Sequence, residues 1–130
     1  MEIYDYITGL QHIGIPTNDI EATKAFYLSL GFELAFETLN EAADEKVSFL
    51  KNHNVIIETY ENKKACKING AIDHICLNVT DIEKVFKIII KGNYEMLNNE
   101  ILYLPFWEKG VRFFTILGPN KEKVEFSQMM

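Results

Sequence analysis

Apolar residues alternate with small or polar ones through LQHIGIP (10–16) and again through IDHICLNV (72–79), the period-two signature of a strand. Behind each stretch the period changes to that of a helix. Ile20, Thr23, Phe26, Tyr27 and Leu30 form one apolar stripe, and Ile82, Val85, Phe86 and Ile89 form the other. Aligning His12 with His74 gives an offset of 62 (74 − 12). The same offset carries Asn18 to Thr80, Asp19 to Asp81, Ile20 to Ile82, Glu21 to Glu83, Phe32 to Tyr94 and Glu33 to Glu95. The chain is therefore two copies of one supersecondary unit, a pattern that decides the fold before any finer detail.

Each copy has readable boundaries. Asn18 stands three before Glu21 and Thr80 three before Glu83, the spacing of a capping box at a helix start. Gly31 and Gly92 are placed to end the helices as left-handed caps. FELAFET, KVSFL and NVIIETY read as the strands after the first helix, with KNHN as a hairpin turn that leaves His53 in solvent. YEML and ILYLPF are shorter and irregular, and VRFFTIL and KVEFSQ follow around the turn GPNKE. The expected class is α+β, with a βαβββ module at 9–60, a charged linker at 61–70 and a second module at 71–128. A short helix is expected in residues 1–8, outside the repeat. At 130 residues the two modules make a single domain, 1–130.

Charge and cysteine content narrow the function. A net charge of −6, with Arg112 the one arginine of the chain, opposes nucleic-acid binding, which rests on clustered cations. Apolar runs such as 85–90 are too short to span a bilayer, and the acidic N-terminus does not resemble a signal peptide. Two isolated cysteines, Cys66 and Cys76, suit a reducing cytoplasm and read as small apolar or linker residues. No dinucleotide, P-loop or CxxC motif occurs.

Candidate chemistry comes from the strands. Alternation puts His12, Gly14 and Pro16 on one face and Ile13 and Ile15 on the other; in the repeat His74, Cys76 and Asn78 oppose Ile75, Leu77 and Val79. The last strand of each half carries an acid among apolar residues, Glu58 in VIIETY and Glu125 in KVEFSQ. Such an acid is costly unless paired or bound to a cation. A strand histidine taken singly is more often a hydrogen-bonded core residue. The recurrence of His on the first strand and Glu on the last, once per half, points instead to a shared metal. Two imidazoles and two carboxylates suit zinc, nickel, cobalt, manganese or iron, with positions left for water or substrate.

The chain resembles the vicinal oxygen chelate superfamily, which includes glyoxalase I, bleomycin-resistance proteins, fosfomycin-resistance enzymes and extradiol dioxygenases. The resemblance covers residues 10–128 and rests on QHIGIPTNDIEATKAFYLSLGFE, VIIETY, IDHICLNVTDIEKV and RFFTILGPNKEKVEF. It implies two paired βαβββ modules forming a cleft-enclosing mixed sheet, with His12, Glu58, His74 and Glu125 as ligands of one divalent ion, Zn, Ni or Co before Mn or Fe. It also implies Glu125 as catalytic base, with Glu58 its counterpart, and a homodimer as the assembly. Asn62 matches a glutathione-contacting asparagine of the glyoxalases. Pro16 and Gly70 stand where basic residues would hold glutathione, which turns the expectation toward another small substrate. Lys121 occupies a turn position where the family favours glycine, a strained choice if φ is positive there.

The function so implied is a metal-dependent lyase or isomerase of glyoxalase I type acting on a small oxygen-chelating molecule. Arg112 is a candidate anchor for an anionic group, and Trp107, with Tyr60, Tyr103 and Phe106, a candidate for the cleft mouth. Two alternatives use the same scaffold. An Fe(II) extradiol dioxygenase needs only His12, His74 and Glu125, and a metal-free drug-binding protein needs none of the acids.

Overall fold

A computed structural model describes residues 2–130 as two compact units, the first ending at Ala65 and the second beginning at Cys66. The first unit opens with a 3-10 turn at Ile3–Tyr6, where the sequence predicts a short helix. There follow β1 (Ile13–Thr17), α1 (Ile20–Ser29), β2 (Glu33–Asn40), β3 (Glu45–Asn52) and β4 (Val55–Glu61). Its sheet runs β1-β4-β3-β2, with β1 parallel to β4 and the other pairs antiparallel. The second unit comprises β5 (His74–Asn78), α2 (Ile82–Lys91), β6 (Glu95–Met96), β7 (Leu102–Leu104), β8 (Val111–Leu117) and β9 (Lys123–Met129). Its order is β5-β9-β8-β6, with β7 also on β8 and β5 parallel to β9. The fold is α+β with two mixed sheets. No helix among the described residues is long and apolar enough to cross a membrane.

In each unit the helix crosses from the first strand to the second, which runs parallel to it at the opposite edge of the sheet, and its apolar stripe covers one face. In the first unit Ile20, Thr23 and Tyr27 are buried with Ile15, Leu50 and Ile57, and the Tyr27 and Phe32 rings meet at 5.4 Å. In the second, Ile82 and Ile89 are buried with Phe114, Ile116, Val124 and Phe126, and Phe86 sits edge-on to Phe114 at 5.0 Å. Each fully buried Ile or Phe contributes about 1.5–3 kcal/mol, so these stripes supply most of what holds helix to sheet.

The helix ends correct the sequence reading. The caps are Asp19 and Asp81, one residue later than Asn18 and Thr80. Their carboxylates accept from Ala22 N at 3.2 Å and Lys84 N at 3.1 Å. A capping box with Glu21 or Glu83 would need those residues at the third helical position, and they stand at the second. Asn18 instead accepts from Ala65 N at 3.0 Å. A second tie comes from the last strand of each unit: Glu61 Oε2 accepts from Ile20 N at 2.8 Å, and Gln128 Oε1 from Ile82 N at 2.9 Å. Gly31 has φ +91, as a left-handed cap requires. Gly92 does not: its φ is −86, and it is small because a Cβ there would lie 2.6 Å from the Tyr94 ring.

The irregular segment of the second module is a broken edge strand. β6 and β7 both pair with β8, and the gap between them is bridged by Asn98, whose Oδ1 accepts from Thr115 N at 3.0 Å. A side chain there replaces a missing ladder carbonyl.

Two stability predictions follow from backbone and burial. Thr59 Oγ1 is, among the described residues, the buried side-chain polar atom without a hydrogen-bond partner. Thr59→Val removes that orphan without changing shape and is expected to raise stability by about 1 kcal/mol, read as a higher urea midpoint at unchanged slope. Lys121 has φ +62, the strained conformation anticipated for its turn, and its Nζ lies 2.8 Å from Glu95. Lys121→Gly and Lys121→Ala both lose that exposed ion pair, so the glycine variant should exceed the alanine variant by about 1 kcal/mol in the same titration.

Candidate metal centre

The parallel pairing of β1 with β4 sets Gly14 beside Glu58 and Pro16 beside Tyr60, while Ile15, Thr17, Ile57 and Thr59 turn to the helix. Gly14 leaves Glu58 uncovered on the open face; a Cβ there would come 3.7 Å from Glu58 Oε1. His12 lies one residue before β1 rather than within it, and its ring reaches diagonally to the acid. Nε2 is 3.3 Å from Glu58 Oε1, with the two side chains 32% and 26% exposed. Phe49, the β3 partner of Glu58, sets its ring edge-on to His12 at 5.7 Å, and Phe36 follows at 6.1 Å.

Hydrogen bonding fixes the character of this pair. His12 Nδ1 lies 3.0 Å from Gln11 Oε1, an oxygen that can only accept, so the contact favours a proton on Nδ1, and in the neutral ring that leaves the lone pair on Nε2. A lone pair facing a carboxylate oxygen is repulsive unless a proton or a metal cation lies between them. Two donors that share one ion at about 2.1 Å each stand roughly 3.0–3.4 Å apart, and the His12–Glu58 spacing falls in that interval. Donor types and spacing therefore fit a divalent ion.

The second unit repeats the diagonal. Cys76 is the strand partner of Glu125, as Gly14 is of Glu58, and His74 lies two residues before it on the same face. His74 Nδ1 is 2.9 Å from Asp73 Oδ2, and Asp73 Oδ1 accepts from Asn69 at 2.9 Å and Lys123 at 3.1 Å. The bond from His74, first, and that from Lys123 hold the Asp73 carboxyl below its ordinary range. Burial, then the hydrogen bond to Glu125 and the charge of that carboxylate, push the Cys76 thiol up to about 12, against a smaller opposing bond with Ser127. Cys76 is still exposed to solvent, and the neighbouring carboxylate acts in the same direction as burial. Within each unit, among the described residues, no three His, Cys, Asp or Glu side chains gather as a metal site. Each unit offers one histidine and one glutamate.

The other candidates are dispersed. Arg112 pairs with Glu83 of α2 at 3.0 Å and is the strand partner of Gln128, which caps the same helix. Its side chain thus serves the helix-covered face, opposite Glu125. Asn62 Oδ1 accepts from Lys64 N at 2.9 Å in the turn after β4. Trp107 is 78% exposed, with φ +63, between β7 and β8. Phe36, Phe49, Gln11 and Asp73 were not singled out by the sequence pattern. The aromatic pair was detectable only through strand register, and the other two through the His-preceding positions shared by both copies.

The fold agrees with what similarity shows. Residues 9–100 match the family model of the Glyoxalase/Bleomycin resistance protein/Dioxygenase superfamily. The chain belongs to this superfamily. An uncharacterized protein, YwbC of Bacillus subtilis (strain 168), is 29% identical over 126 residues, covering 92% of this chain and 96% of that one. The glyoxalase family protein from Enterococcus faecalis shares the fold with a TM-score of 0.78 at 20% identity, over 94% of this chain and 98% of that one. FosX from Listeria monocytogenes, a fosfomycin resistance protein solved with Mn(II) and sulfate, has a TM-score of 0.74 at 16% identity, over 95% and 94% of the two chains. At such identities the likeness is one of fold.

The Cys76–Glu125 contact gives this superfamily member a measurable signature. Cys76 should react with iodoacetamide near neutral pH on the order of tenfold more slowly than an unperturbed thiol, its rate still climbing above pH 9, because only the thiolate attacks. Glu125→Gln removes the carboxylate and should accelerate the reaction, as followed by peptide mass spectrometry.

Proposed function

We propose that the chain is a metal-dependent lyase or isomerase of glyoxalase I type, acting on a small molecule that presents two neighbouring oxygens. One divalent ion, zinc, nickel or cobalt before manganese or iron, is held by His12, Glu58, His74 and Glu125. These ligands come from two modules of one chain or from two subunits of a homodimer. The observation that carries the reading is the His12 Nε2–Glu58 Oε1 pair, two donors at ligand spacing on an open sheet face. The same strand diagonal at His74 and Glu125 supports it, as does the manganese in the FosX structure. Exposed apolar side chains on β2, Leu34, Phe36 and Leu39, support association of two chains.

When bound, the ion supplies Lewis-acid polarisation of a substrate carbonyl. Glu125 takes a proton from the carbon beside that carbonyl and returns it to the neighbouring atom, as general base and then acid. The Cys76 thiol, donating to Glu125, orients that carboxylate. Glu58 stays beside His12. Phe36 and Phe49 shield the His12 side from water, and Asn62 and Trp107 are substrate contacts. Arg112, held by Glu83 on the helix-covered face, stands apart from these contacts.

A metal-free binding protein for an aromatic drug is the second reading, favoured by the exposed Phe36 beside Phe49. Elemental analysis of protein purified without chelator should give one equivalent of metal per site, lost in His74→Ala and Glu125→Gln. Turnover is then sought among 2-oxo and 2-hydroxycarbonyl substrates, the glutathione hemithioacetal, and catechols with oxygen. Protein that stays metal-free after exposure to Zn, Ni, Co, Mn and Fe, yet binds an aromatic drug, sinks the enzyme reading. Oxygen uptake with catechols would replace it with dioxygenase chemistry.

A further inference from the structure

Both candidate histidines make the same contact with the residue just before them. Gln11 Oε1 meets His12 Nδ1 at 3.0 Å, and Asp73 Oδ2 meets His74 Nδ1 at 2.9 Å. The two pairs are related by the repeat offset of 62, since Gln11 maps onto Asp73 (73 − 11). Side-chain carbonyl and carboxylate oxygens only accept, so each contact favours a proton on Nδ1, and in the neutral ring the lone pair is then on Nε2. A neutral imidazole without such a partner is free to place its proton on either nitrogen.

We propose that Gln11 and Asp73 are positioning residues that lock the Nδ1–H tautomer of His12 and His74, so that each presents an unprotonated Nε2 to a divalent cation. This rests on the metal-dependent reading above. In the first unit the consequence is visible, because Nε2 is the atom that faces Glu58 Oε1 at 3.3 Å.

The two devices differ in strength. Asp73 is held in place on its other oxygen by Asn69 at 2.9 Å and Lys123 at 3.1 Å, and Lys123 is also the strand partner of His74. It is therefore a fixed, anionic acceptor, and a carboxylate behind an imidazole makes the opposite nitrogen a better donor to metal. Gln11 is a neutral amide and orients its ring without that electrostatic push. His74 should be the stronger imidazole ligand and His12 the weaker.

The test begins with metal-free protein. Long-range proton–nitrogen NMR at about pH 8.5, where an ordinary imidazole is neutral, reports the tautomer of each ring, and three histidines are few enough to assign. The expected spectrum has Nδ1 protonated in His12 and His74. Asp73→Ala should shift His74 toward the Nε2–H form, and Asp73→Asn, which keeps an acceptor oxygen, should restore it. Competition with a chromophoric chelator should show zinc or cobalt binding weakened roughly 10–100-fold in Asp73→Ala, less in Gln11→Ala, and largely recovered in Asp73→Asn. Wild-type rings in the Nε2–H form, or a His74 tautomer indifferent to Asp73→Ala, overturn the proposal. Wild-type protein with the expected tautomers and no affinity for any metal overturns the metal reading, and with it the purpose assigned to these residues.

Discussion

The parallel pairing of the first and last strand in each unit is the constraint on which the rest depends. With the last strand inserted beside the first, the second strand lies parallel to the first at the opposite edge of the sheet, so the helix that joins them must cross over and cover one face. The uncovered face then receives every second side chain of β1 and β4, or of β5 and β9. That is why an acid can stand among apolar residues in VIIETY and KVEFSQ without being buried in the core. The pairing is itself tied to the helix from below. Glu61 and Gln128, three residues beyond Glu58 and Glu125, cap α1 and α2 at their first backbone N–H. One strand thus positions the candidate acid and fixes the start of the helix that leaves the acid on the uncovered face.

Within this common plan the two halves have diverged around their acids. Glu58 has a glycine beside it and a histidine ring against it, so its surroundings are open and its partner is an imidazole. Glu125 has a cysteine beside it, and its neighbour histidine is engaged by an aspartate that a lysine and an asparagine hold still. The first half is lined by Phe49 and Phe36, whereas the second is built from hydrogen-bonding groups. Duplicated modules that keep strand register while changing the flanking residues can specialise their two acids without altering the fold.

Much of this was legible in the sequence because it depends on periodicity. The repeat offset found both helices, and alternation assigned Glu58 to the face opposite buried Ile57, and Glu125 to the face opposite buried Val124 and Phe126. What escaped is what depends on one residue or on register between strands. The choice of Asp19 over Asn18 as cap turns on a single step along the chain, and both residue types are good caps. Gly92 does end α2, but with an extended backbone, and the room its missing Cβ leaves is taken by the ring of Tyr94, which spacing alone does not reveal. Phe49 as neighbour of His12 follows only from the β3–β4 register, and the engagement of Arg112 with Glu83 only from knowing that β8 alternates it toward α2.

The split of the second module's edge into β6 and β7 has a bearing on how the folded chain behaves in a crowded solution. An unbroken edge strand displays a row of unpaired amides and carbonyls on which another chain can template itself, and native proteins blunt such edges by shortening or interrupting them. β2, the matching edge of the first unit, is eight residues long and exposed throughout. In the second unit the row is cut to two and three residues, and Asn98 satisfies the intervening Thr115 amide from the side. The two copies of the module thus treat the same edge differently: β2 keeps a continuous row open to edge-to-edge pairing, and the β6–β7 edge does not.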